Sequence, residues 1–200
     1  MSSPVKTAAR YAWSSRVLHW LMAVMVLAML LIGMAMVASL LDYHWLLAVH
    51  RPLGILVLVF VIVRFVNRQV TRLPPFPETM SAIERAAATW SERLLYTLMF
   101  IMPLIGWGML SAARYPIVLF GSIRLPPILP HSTWLYTVLR TSHTVFAYLL
   151  FFAFMAHLSA VLFHTLVLRD GLLRRMAPPT PTPEPETRPS GAGHPARGRT

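Results

Sequence analysis

The stretch from Arg140 to Arg169, RTSHTVFAYLLFFAFMAHLSAVLFHTLVLR, decides how this chain of 200 residues is read. It is apolar over the depth of a membrane, yet it carries His143, His157 and His164. An imidazole in lipid is costly unless something satisfies it. A helix turns about 100° per residue, so a step of 14 positions, from His143 to His157, returns the side chain to within about 40° of its first direction, about 21 Å further along the axis. One helix can therefore present two histidines to the same side at two depths of a hydrocarbon layer about 30 Å thick. Two metal cofactors stacked across a bilayer would need that arrangement.

The rest of the chain agrees with a membrane setting. It is 56% hydrophobic and only 12% charged, with a mean hydropathy of +0.58, whereas roughly a quarter of the residues of a soluble domain are charged. The formal net charge is +11, but the basic residues flank the apolar runs, which suits anionic headgroups. No interleaving of aromatic and basic residues points to RNA or DNA. There is no cysteine, which excludes disulfides, iron–sulfur clusters, thiolate zinc sites and covalent c-type haem attachment. His, Met, Tyr and the carboxylates are left as metal ligands. Lys6, Arg10 and Arg16 precede an apolar run that has no small-residue cleavage pattern and is too long for a signal peptide, so it reads as a retained first span.

Taken in order, the first span is expected over Val17–Leu41 and the second over Trp45–Phe65, with Pro52 tolerated in its early turns. Pro74, Pro75 and Pro77 end that half. Met80–Glu92 reads as a short amphipathic surface helix, Arg93–Leu110 as the third span, and Ser111–Ser132 as a loop. The apolar part of the fourth span is expected from His143 to Leu168. No internal repeat appears beyond the four hydrophobic runs. Residues 1–176 thus make one transmembrane unit, and 177–200, rich in Pro, Thr, Glu, Gly and Arg, a disordered tail. If the N-terminus is cytoplasmic, most of the arginines fall on that side, and only Arg51, Arg114, Arg124 and Arg140 on the other. The positive-inside rule favours this orientation, with both termini in the cytoplasm.

Depth then groups the histidines. His50 begins the second span and His143 the fourth, both toward the outer face, whereas His19 begins the first span at the inner face and His157 lies deep in the fourth. The level pairs are His50 with His143 and His19 with His157. Two imidazoles on one iron make it six-coordinate, the state suited to electron transfer because no position is left for dioxygen. A lone interfacial histidine such as His19 or His44 more often contacts headgroups, and His143 and His157 could instead make interhelical hydrogen bonds. Four histidines matched in depth weigh against those readings. Met22, Met25 and Met34 read as core or lipid-facing filler, and His131 and His194 receive no role. Arg64 could contact a haem propionate or snorkel to the headgroups. His164 could hydrogen-bond a quinone and relay a proton, or anchor at the interface.

The segments Arg16-Val-Leu-His19-Trp20, His50-Arg-Pro-Leu-Gly54 with Arg64 closing its helix, Pro103-Leu-Ile-Gly106, and Ser142-His143 followed by His157 resemble the prokaryotic cytochrome b561 family. That family is similar to the membrane cytochrome b subunits of formate dehydrogenases and nickel–iron hydrogenases. The match extends roughly from Tyr11 to Met176. The resemblance implies an all-α membrane protein of the bacterial inner membrane, a four-transmembrane-helix bundle enclosing two b-type haems. It implies His19 and His157 for the inner haem and His50 and His143 for the outer, the same pairs that depth suggests. It further implies electron transfer between the periplasmic face and ubiquinone in the respiratory chain, with superoxide as a donor in one branch. In another branch the chain is a haem-containing anchor that relays electrons for a periplasmic dehydrogenase or hydrogenase. The chain departs from some relatives in having Glu92 where a histidine can occur, and its Pro-rich tail has no assigned counterpart.

Overall fold

The computed structural model describes residues 10–77, 80–119 and 121–177. Lys6, His194 and, apart from Ala177, the Pro-rich tail lie outside the described residues. Among the described residues four helices are long and apolar enough to cross a membrane. Large side chains along them, such as Leu31, Val59 and Phe152, face outward, as lipid solvent permits.

The first helix, α1 (Trp13–Ala38), has 26 residues and is therefore about 39 Å long. The second, α2 (Tyr43–Val70), runs five residues beyond the expected stop at Phe65. Loss of hydropathy there is not loss of helicity: Asn67 turns inward to donate to Ser15 Oγ at 2.8 Å, and Arg68 pairs with Glu92.

The expected surface helix and third span are a single helix, α3 (Ala82–Ala112). Glu92 and Arg93 marked a change of polarity, but no Gly or Pro lies between Ala82 and Met102 to break the ladder. The run through Ala86–Ala88 favours helix. Its start is fixed by a capping box, in which Ser81 Oγ accepts from the Glu84 N–H and Glu84 accepts from the Ser81 N–H at 2.7 Å.

The loop expected over Ser111–Ser132 contains an antiparallel hairpin, β1 (Ile117–Leu119) and β2 (Ile123–Leu125), with Val118 opposite Arg124. Ile117 and Leu119 point inward, and Gly121, at φ +78°, makes the reversal. The loop is tied to the end of α3: Trp107 donates to the Pro126 carbonyl at 2.9 Å, and Ile128 N–H to Ser111 Oγ. Leu129 lies so close to Gly108 that a Cβ there would be 2.8 Å from its Cδ1.

Next, α4 (Thr133–Phe163) starts earlier than its apolar part, capped by Ser132. It ends in a π-helical turn, His164–Leu168. Arg169 and Gly171 adopt left-handed conformations and lead into a five-residue helix, α5 (Leu172–Met176). In the bundle α1 packs on α2, α2 on α3, and α3 on α4. Leu95, Leu98, Leu150 and Ala153 form the α3–α4 core, and Met22, Leu58 and Val61 the α1–α2 core. No comparable seam joins α4 to α1 or to α2.

Candidate functional site

Across those unseamed gaps the histidines meet. His19 of α1 faces His157 of α4, ring centroids 6.5 Å apart and planes at 67°. His50 of α2 faces His143 of α4 at 6.4 Å and 69°. Two metal–imidazole bonds of about 2 Å each, with half a ring added at either end, come close to both spacings. Among the described residues no group of three or more His, Asp or Glu is placed to cage a metal ion. Paired imidazoles with no third protein ligand are the donor set that an iron held by a porphyrin would accept. Further signs agree with that fit. Nδ1 of His50 is buried without a hydrogen-bond partner, and a buried polar atom of that kind needs an explanation. Gly106 of α3 also forms a cradle for His143, since a Cβ there would stand 3.4 Å from the ring.

Between the two levels lies an apolar layer. Leu150, midway between His143 and His157 in sequence, packs with Leu95, Leu98 and Ala153, and Met99, Phe146 and Phe154 line the same cluster. Such a layer keeps water out of the space between the pairs.

Beside His19 and His157 the polar side chains converge. Arg64 does not reach outward as a snorkelling side chain would: it donates to the Ser15 carbonyl at 3.4 Å and lies over the Tyr96 ring at 5.7 Å. Glu92, at the position noted above, is the partner of Arg68. Tyr11 closes the same crevice. Burial, reinforced by the Glu92 carboxylate, raises its phenol above the usual range, which keeps it neutral.

His164 makes a contact that the sequence did not suggest. Its Nδ1 is 2.5 Å from Asp170 Oδ2, with both side chains about five-sixths buried. Asp170 also accepts the Leu172 N–H at 3.1 Å. The reversal at Arg169 brings Asp170 back under the helix, and the only sequence signal was an acid in a basic segment. Other residues fall away from the pairs. His44 is exposed at the start of α2, and His131 Nδ1 bonds the Ala112 carbonyl at 2.8 Å. Met22 and Met25 fill the core, and Met34 faces outward. Arg114, Arg124 and Arg140 are exposed at the end nearer His50 and His143, where Arg51 is partly buried.

Comparison with known proteins gives a family. The profile of prokaryotic cytochrome b561 matches residues 10–179. The chain is 29% identical over 174 residues to "Cytochrome b561 homolog 2" of Escherichia coli (strain K12), covering 85% of this chain and 92% of the relative. It is 27% identical over 166 residues to "Probable superoxide oxidase CybB" of Yersinia pestis, covering 80% and 92%. With four candidate spans among the described residues and a family match that covers all of their helices, this chain belongs to the prokaryotic cytochrome b561 family of haem b-binding membrane electron-transfer proteins.

Proposed function

We propose that the chain holds two b-type haems and carries single electrons between the periplasmic face and the ubiquinone pool. His19 and His157 hold one haem toward the cytoplasm, and His50 and His143 hold the other toward the periplasm. The observation that carries this reading is the pairing of four imidazoles at two levels along α4, with centroids 6.5 and 6.4 Å apart. When bound, b-type haem supplies one-electron redox chemistry.

The protein's own groups have separable tasks. The four imidazoles would hold the two irons, and the Leu95–Leu98–Leu150–Ala153 layer offers water no polar partner between the levels. Arg64, held beside Tyr96, offers positive charge to a propionate. With Nδ1 of His164 committed to Asp170, Nε2 is the atom left to meet a quinone oxygen and to hold or deliver a proton there. The N- and C-termini lie in the cytoplasm, because the arginines of that end outnumber those of the other.

As electron donor we favour superoxide over a periplasmic dehydrogenase or hydrogenase. A named relative is a probable superoxide oxidase, and Arg51, Arg114, Arg124 and Arg140 would draw a small anion toward the outer pair. The test is steady-state assay of the purified chain with superoxide and ubiquinone, preceded by a pyridine haemochrome count. Two haems per chain and turnover without a partner are expected. Colourless protein would end the haem reading, and a di-haem protein that turns over only with a redox partner would make it a relay.

A further inference from the structure

We infer that the segment Asp170–Ala177 is a strap that sets the orientation of His19, with Trp20 and Arg16 as positioning residues. The inference rests on the reading that His19 and His157 hold a haem. A helix leaves its last carbonyls without intrahelical donors, and α5, five residues long, has its C-terminal carbonyls taken up by one neighbour. The Arg175 carbonyl accepts from the Tyr11 N–H at 3.3 Å, the Met176 carbonyl from Trp20 Nε1 at 2.9 Å, and the Ala177 carbonyl from Arg16 at 2.9 Å. Tyr11 lies just before α1 and Arg16 and Trp20 within its first turns; α1 has no side-chain N-cap and no acidic residue in its first turn. Three consecutive carbonyls thus hold the chain entering α1 and the turns that bear His19.

The other end of the strap is held as well. There Asp170 is fixed by His164 and caps the Leu172 N–H within the strap, while at the α1 end the Arg175 side chain also donates to the Pro75 carbonyl at 2.7 Å. The strap is therefore a continuous tie from the end of α4, which bears His157, to the start of α1, which bears His19. No packed helix seam makes that link. Trp20 adjoins His19 in sequence, their rings meeting edge to face at 5.8 Å. Holding the indole N–H limits rotation of α1 about its axis, and so limits the angle at which the His19 ring faces His157.

The experiment uses the full chain with its haems. Trp20→Phe keeps an aromatic ring and loses the N–H; Arg16→Met keeps the stem and loses the donor. Each variant is read by amide exchange over residues 172–177 and by the low-spin ferric resonances, whose g-values follow the angle between the ligand planes. The His143→Ala protein, retaining only the His19–His157 centre, assigns the two resonances beforehand. Exchange in the strap is expected to quicken about fivefold, the factor set by losing one hydrogen bond of ordinary strength. The His19–His157 resonance is expected to move while the other stays. The inference is overturned if neither observable changes, if exchange quickens with both resonances fixed, or if both resonances shift together. If the unsubstituted protein has no resonance that His157→Ala removes, it is the ligand assignment that fails.

Discussion

Single side chains make separable predictions because the two histidine pairs share only α4 and use it at different depths, with α1 and α2 supplying the separate partners. His143→Ala should lower the haem count from two per chain to one while leaving the His19–His157 centre intact, as a pyridine haemochrome assay and a redox titration would report. Loss of both haems, or of neither, would contradict the pairing. Gly106→Val should perturb the same outer centre alone, since even the first carbon of a side chain there meets the His143 ring at 3.4 Å. The Arg68–Glu92 pair should matter much less. Its side chains are about one-third exposed, and water screens such pairs, so Glu92→Gln should change thermal stability in detergent by no more than about 1 kcal/mol. The spacing of 14 residues was legible because helix geometry converts count into depth. Asp170 was not, because its approach to His164 depends on a left-handed residue at Arg169, and nothing in the local sequence requires one there.

Whole elements were legible where burial in lipid leaves a mark on composition, and illegible where hydrogen bonding decides. The four spans stand out as apolar runs, yet α2 continues past Phe65 because Asn67 and Arg68 find partners inside the bundle. Likewise α3 ignores the charges at Glu92 and Arg93, since a helix is stopped by its backbone and not by a polar side chain. The hairpin at Ile117–Leu125 was hidden in a segment whose prolines suggested only irregular loop. The continuity of α3 has a consequence that can be measured. Ser81→Ala removes one half of the capping box and should cost about 1 kcal/mol locally, speeding amide exchange over 82–90 without altering either haem. If exchange there is unchanged, Ser81 does not hold the helix start.

Over the molecule as a whole, charge and connectivity set the expectations. A reporter fused after Thr200 should fluoresce as green fluorescent protein and fail as alkaline phosphatase, which needs the periplasm; the reverse pattern would invert the topology. If the exposed arginines Arg114, Arg124 and Arg140 steer an anionic donor, its reaction rate should fall as salt rises, and Arg114→Glu with Arg124→Glu should flatten that dependence. A rate insensitive to salt in both proteins would remove steering from the account.

The seams of the bundle run α1 to α2 to α3 to α4, with none that closes the ring. Away from the tie that Asp170–Ala177 makes at one end, such a chain is a book hinged on its middle pages, and a pigment held by the histidine pairs would be what shuts it. Cells starved of porphyrin should then accumulate a gaping, protease-sensitive form in which cysteines placed on α1 and α4 away from the strap, toward Ala38 and Thr133, fail to cross-link, while porphyrin-replete cells should yield the linked product. Equal cross-linking in both would mean that the covers hold without the clasp; otherwise the supply of tetrapyrrole, as much as the rate of translation, governs how much of this protein survives.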